Sequence, residues 1–245
     1  WQGCTMAQAM AHLRHRHAMA PVLNQADAKG VKGYTGYALI RVAERSMFRI
    51  KICGVTNSVD ARRAADAGAD AIGLNFYADS PRYCPTDEAA KIARAVPAEV
   101  VKVGVFVDST ADEIRATSRQ VGLDLIQVHG DQPPEFLQEL RPLPTMKAFR
   151  MDGNFDAVTA YLRECHRQVC VPRMVLVDAH RAGQFGGTGK TADWPALSEH
   201  RRAFQGLPLV LAGGLTPENV AEAVATVRRL CMCTAGRLER RSVKE

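Results

Sequence analysis

At 245 residues, 47% of them hydrophobic, the chain is long enough to bury a core and has no bias toward a fibrous or disordered protein. Its formal charge of +6 invites a nucleic-acid reading, but residues 1–46 and 228–245 contribute +4 each, so 47–227 stands at −2 and a basic groove on the folded body is not expected. No run approaches the roughly 18 apolar residues that span a bilayer, and seven irregularly spaced cysteines fit a reducing compartment; the expectation is a cytoplasmic protein with no nucleic-acid or membrane partner.

Residues 1–46 mix His12, Arg14, His15, Arg16 and His17 with Gly30, Gly33 and Gly36 and contain no continuous apolar core of the signal-peptide kind, so they read as a flexible extension. From Met47 short apolar runs alternate with amphipathic stretches, the grammar of parallel strands linked by crossover helices. The runs predict strands over Arg49–Cys53, Ala71–Phe76, Val100–Val107, Leu125–His129, Thr145–Phe149, Met174–Asp178 and Leu209–Ala212. Helices are predicted over Ser58–Ala67, Thr86–Val96, Ala111–Val121, Pro134–Leu140, Asp156–Cys165, Asp193–Phe204 and Pro217–Val227, with Ser58, Thr86 and Thr216-Pro217 as start signals. Gly68 and Gly122 each follow a helix and precede an acid and a strand, which suits a left-handed helix end. Such units close into a (β/α)8 barrel; an open doubly wound sheet is the rival, and pattern alone does not separate the two.

Reactive side chains recur where the strands end. Cys53 closes the first strand just before a glycine turn and a helix start, where a thiol loses its proton more easily than a free one. Asn75 and Asp79-Ser80-Pro81-Arg82 follow the second, Gln127 and His129 end the fourth, and Asp178 ends the sixth. Each alone is ordinary: a buried cysteine, a core histidine, a helix-capping aspartate. Their recurrence at one edge is what points to a site, because that edge of a parallel sheet or barrel is where ligands bind. Cys165, His166 and Cys170 raise a metal site, but no second ligand pair with zinc spacing exists, so no metal is expected.

After Asp178 the stretch Gly183-Gln184-Phe185-Gly186-Gly187-Thr188-Gly189-Lys190-Thr191 suits backbone amides around an anion. A Walker A loop would need glycine where Gln184 stands. Gly187-Thr188-Gly189-Lys190-Thr191-Ala192 formally fits a dinucleotide fingerprint, but no acid closes a strand about 20 residues on. A second pair, Gly213-Gly214, follows the seventh strand, where barrels of this kind commonly hold a phosphate, so a phosphorylated small molecule is the expected ligand.

Six ordered stretches resemble one family. Lys51-Ile52-Cys53-Gly54-Val55-Thr56, Asn75-Phe76-Tyr77-Ala78-Asp79-Ser80-Pro81-Arg82, Gln127-Val128-His129-Gly130, Val177-Asp178 with Gly186-Gly187-Thr188-Gly189-Lys190, Asp193-Trp194, and Leu211-Ala212-Gly213-Gly214-Leu215 are similar to the phosphoribosylanthranilate isomerases of tryptophan biosynthesis. The resemblance covers roughly Met47 to Val227. It implies a phosphate-binding barrel that performs an Amadori rearrangement without metal or cofactor, as a monomer or homodimer. Asp178 would be its general acid and Cys53 its general base, with Arg82 on the anthranilate carboxylate and Gln127 and His129 lining the mouth. Gly186, Gly187, Gly189, Gly213, Gly214 and Gly236 would serve the phosphate or close over the substrate.

The resemblance lapses over residues 228–245. Family members carry an eighth strand ending in Val-Asp-Val-Ser-Ser-Gly-Val-Glu; this chain reads Arg228-Arg229-Leu230-Cys231-Met232-Cys233-Thr234-Ala235-Gly236, with Cys233 about where the aspartate belongs. The division expected is an extension over 1–46, an isomerase barrel over 47–227, and a divergent or truncated segment over 228–245 that leaves the eighth βα unit degenerate and the barrel edges unpaired. Two other readings stay open: another sugar-phosphate barrel enzyme, and a non-catalytic remnant that only binds phosphorylated ligands.

Overall fold

Eight parallel strands form one ring in chain order, and the ring closes between the last strand and the first. The structure is a computed structural model; it describes residues 48–151, 153–179, 193–216, 218–227 and 230–234. The strands are β1 (Ile50–Cys53), β2 (Ala71–Asn75), β3 (Val101–Phe106), β4 (Leu125–Val128), β5 (Thr145–Met151), β6 (Met174–Ala179), β7 (Leu209–Ala212) and β8 (Leu230–Thr234). Residues 1–46, Gly186, Gly187, Gly189 and Gly236 lie outside the described residues.

Both faces of the ring are buried, which is why its strands read as near-continuous apolar runs. Alternate residues Ala71, Val101, Val103, Leu125, Met146, Ala148, Met174, Leu176 and Val210 fill the interior. Their neighbours Ile72, Leu74, Ile126, Val128, Val175, Val177, Leu209 and Leu211 pack outward against the helices.

The open edges expected from residues 228–245 do not occur. β8 pairs with β7 through Leu209↔Leu230 and Leu211↔Met232, and with β1 through Ile50↔Met232 and Ile52↔Thr234, while the Met232 amide donates to the Arg49 carbonyl at 2.7 Å. The segment works because its alternation survives. Met232 packs outward beside Ile50, and Cys233 packs inward with the barrel core.

The helices follow the predicted ranges with shifts at their ends: α1 (Ser58–Asp66), α2 (Thr86–Ala95), α3 (Ala111–Val121), α4 (Pro134–Glu139), α5 (Phe155–Arg167), α6 (Trp194–Glu199) and α7 (Val220–Val227). Ser58 and Thr86 are not caps but first helical residues. Asn57 caps α1 by accepting from the Asp60 amide, and Pro85 precedes α2 without a side-chain cap. Thr110 and Glu113 form a reciprocal capping box on α3, and Gly68 and Gly122 adopt the left-handed geometry expected of them. The predicted helix over Asp193–Phe204 divides into α6, capped by Asp193, and a 3-10 turn over Arg201–Phe204. The last predicted helix starts late, because the Thr216 amide donates to the Asn219 side chain and a turn replaces the first helical residues.

Candidate active site

On β1 the pleat sends Lys51 and Cys53 to the same side, into the barrel. Lys51 is fully buried there and Cys53 is half-buried above it, toward the carboxyl end of the ring. The neighbouring strand makes room for both. Gly73 pairs with Cys53, and a Cβ on Gly73 would lie 2.8 Å from Cys53 Sγ and 3.0 Å from Lys51 Nζ, so the bare glycine leaves the space that the thiol and the amine occupy.

From Lys51 a line of polar contacts crosses the interior. Its Nζ donates to Cys53 Sγ at 3.1 Å, to Gln127 Oε1 at 2.9 Å and to Cys233 Sγ at 3.4 Å. Gln127 Nε2 lies 3.0 Å from His129 Nδ1, and His129 Nε2 lies 3.5 Å from Asp178 Oδ2. Four of the sequence-predicted residues, Cys53, Gln127, His129 and Asp178, therefore share one end of the barrel and one chain of contacts. His129 and Asp178 are each about a fifth exposed, so the far end of the line opens toward solvent.

Charge in this line is shared unevenly. Hydrogen bonding with the Cys233 thiol, added to the positive charges of Lys51 and Arg82, holds Cys53 well below the usual thiol range against the burial that would raise it. Cys233 is pushed well above that range by its bond to Cys53 and then by burial. Burial alone would lower Lys51, but the charge on the two sulfurs outweighs it and keeps the amine above its ordinary range. Of the two sulfurs, Cys53 is the one whose acidity is raised: it is nearer to Lys51, less buried than Cys233, and also faces Arg82.

Arg82 reaches this end from the loop after β2. Asn75 Nδ2 donates to Ser80 Oγ at 2.9 Å, the Tyr77 amide donates to Asn75 Oδ1 at 3.0 Å, and the Arg82 amide donates to Ser80 Oγ at 3.2 Å, so the loop is tied down before it presents the guanidinium. Gly54, at φ +78°, supports it from the other side; a Cβ there would come within 2.4 Å of Arg82 Cδ. Gly213 and Gly214 follow β7 at the same end, both with positive φ. Their turn is held by Asn219, which donates to the Gly214 carbonyl and accepts from the Thr216 amide, each at 2.8 Å. The remaining predicted glycines fall outside the described residues. Cys165 and Cys170 are far from this chemistry, buried in the helical layer with Cys170 Sγ against the Pro134 carbonyl at 3.3 Å.

The family model for N-(5'-phosphoribosyl)anthranilate isomerase matches residues 50–244. The chain belongs to the phosphoribosylanthranilate isomerase family. It is 39% identical to the isomerase of Geobacter sulfurreducens over 195 residues, 79% of this chain and 90% of that one. It superposes on the crystal structure of the Thermotoga maritima isomerase with a TM-score of 0.68 at 33% identity, covering 77% of this chain and 88% of the other. A solved isomerase in complex with reduced 1-(o-carboxyphenylamino)-1-deoxyribulose 5-phosphate gives 0.64 at 31% identity, covering 78% and 88%.

Two residues of this isomerase barrel escaped the reading of strand ends. Lys51 carried a signal: a lysine inside the run Phe48–Cys53, two positions before the cysteine, has to share its face. Cys233 was noted only as standing about where relatives carry an aspartate; that it meets Lys51 depends on β8 pairing with β1.

Proposed function

We propose that this chain isomerises N-(5'-phosphoribosyl)anthranilate to 1-(2-carboxyphenylamino)-1-deoxyribulose 5-phosphate, with Asp178 as general acid and Cys53 as general base. The observation that carries the assignment is the line Cys53–Lys51–Gln127–His129–Asp178, which brings a thiol and a carboxyl to one end of one barrel from strands more than a hundred residues apart.

In this reading Asp178 gives its proton to the furanose ring oxygen as the C1′–O bond breaks and the anilino nitrogen supplies the electron pair of a Schiff base. Cys53 thiolate then takes the proton from C2′, leaving an enolamine that tautomerises to the ketone. One proton leaves the acid and one arrives at the base, so the pair must exchange a proton before the next turnover. General acid–base steps of this kind each contribute roughly 10²- to 10⁴-fold, and they need a base that is ionised near neutral pH, which Cys53 is built to be.

Arg82 would fork onto the anthranilate carboxylate with charge-assisted hydrogen bonds. The Gly213-Gly214 turn would contribute amides to the phosphate, in the place after β7 where such barrels bind one; Gly186, Gly187, Gly189 and Gly236 are proposed to complete that cradle. The setting we infer is cytoplasmic: Cys53, Cys84, Cys165, Cys170, Cys231 and Cys233 are free thiols, and no helix among the described residues is long and apolar enough to cross a membrane. Loss of substrate fluorescence on mixing with the chain measures turnover directly. Wild-type protein that turns over no faster than Cys53→Ala and Asp178→Asn, with all three at background, would instead support a ligand-binding remnant.

A further inference from the structure

A fully buried ammonium at the centre of an enzyme barrel has to be balanced, and among the described residues Lys51 has no carboxylate within salt-bridge distance. Its contacts are two sulfurs and one amide oxygen. The compensating charge therefore resides on a thiolate, and the better placed sulfur is Cys53, at 3.1 Å.

The amide oxygen has a second consequence. An ammonium can only donate, so Gln127 must turn Oε1 toward Lys51 and its NH₂ toward His129 Nδ1. That nitrogen must then accept, which places the proton of the neutral ring on Nε2, the nitrogen facing Asp178 Oδ2. A glutamine amide does not pass a proton along, so the line aligns the two ends without conducting between them.

We propose that Lys51 is a positioning residue for the isomerisation, one buried ammonium that keeps Cys53 a thiolate on one side and, through Gln127, fixes His129 in its Nε2–H tautomer against Asp178 on the other. The proposal rests on the roles given above to Cys53 and Asp178, and its test separates the two.

The ultraviolet absorbance of the thiolate, titrated in the full chain against Cys53→Ser, reads the first effect without substrate. A thiolate is expected at neutral pH in the wild type, and in Lys51→Met the thiol should titrate at higher pH than in the wild type. The acid limb of kcat/KM moves to higher pH in that variant, and kcat falls roughly a hundredfold, the lower end of a lost general base, with a smaller change in KM. Nitrogen NMR of labelled His129 reads the second: the Nε2–H tautomer in the wild type, and a mixture in Gln127→Leu, which keeps Lys51 beside Cys53. A Lys51→Met protein whose Cys53 titrates like wild type, or wild-type protein with its His129 proton on Nδ1, overturns the proposal. If Lys51→Met does not fold, the wild-type thiolate and the Gln127→Leu tautomer decide it. Turnover retained by Cys53→Ala would sink the base assignment and leave the thiolate and tautomer results standing.

Discussion

Lys51 and Lys147 are both buried, on opposite faces of the same sheet, at 0% and 3% exposure. Lys51 points into the barrel and meets two thiols; its amine is held above the ordinary range. Lys147, on β5, points outward toward α5, donates to the Gly130 carbonyl, and lies 5.4 Å and 5.5 Å from the ring centroids of Phe149 and Tyr161. Burial, offset only in part by Asp131, pushes it down to about 8. Desolvation acts on both; what differs is whether a group that can ionise lies within hydrogen-bond reach. A carbonyl and two ring faces are neutral and cannot supply the balancing charge, whereas a thiol can give up its proton and do so.

The largest way to break this comparison is at the inner end. Cys53→Ala should lower kcat by roughly 10²- to 10⁴-fold, measured as loss of substrate fluorescence on folded protein. Turnover within tenfold of wild type would show that the thiol paired with Lys51 is not the base.

The outer lysine gives the next effect. Between about 8 and 10.5 the unfolded chain holds the Lys147 proton and the folded chain does not, so stability should rise with pH across that window. Fully expressed, this shift corresponds to roughly 3 kcal/mol. Denaturant unfolding of wild type and Lys147→Met across the window checks it. The variant should lose that part of the slope, and parallel curves would mean that Lys147 is charged in the fold and the contrast with Lys51 is false.

Gly54→Ala probes the arginine beside the thiol. The new Cβ meets Arg82 Cδ in a backbone region that disfavours a side chain. Losing a charge-assisted contact costs about 1.5–3 kcal/mol, so KM should rise about ten- to a hundredfold. Arg82→Ala should match it in KM, and a Gly54→Ala protein that binds normally would remove the supporting role of the glycine.

The smallest effect lies away from both lysines. Asn57→Ala strips the cap of α1, where Asn57 Oδ1 accepts from the Asp60 amide at 2.9 Å, and should cost about 1 kcal/mol in denaturant unfolding. A loss several times larger would couple the cap to the β1 end of the site.

Much of this was legible residue by residue. Apolar runs marked seven strands, and the reactive side chains at their ends, Cys53, Gln127, His129 and Asp178, do converge. The eighth strand was not legible, because Leu230–Thr234 is short, rich in cysteine and flanked by arginines, with little of the β-branched or aromatic content that signals a strand. Its pairing is decided by the two edges waiting for it. The caps were misplaced by one residue at Ser58 and Thr86, since neighbouring polar residues compete for a cap and only backbone geometry selects one.

Taken alone, the order of residues determined the period of burial, the strand ends at which chemistry gathers, and the family to which those motifs belong, because each depends on neighbours within a few positions. Only the closed ring decided that Lys51 would meet Gln127, 76 positions away, and Cys233, 182 positions away. Register and closure are properties of the whole sheet, and the low-dielectric interior they create is what turns three ordinary side chains into a charge-sharing group.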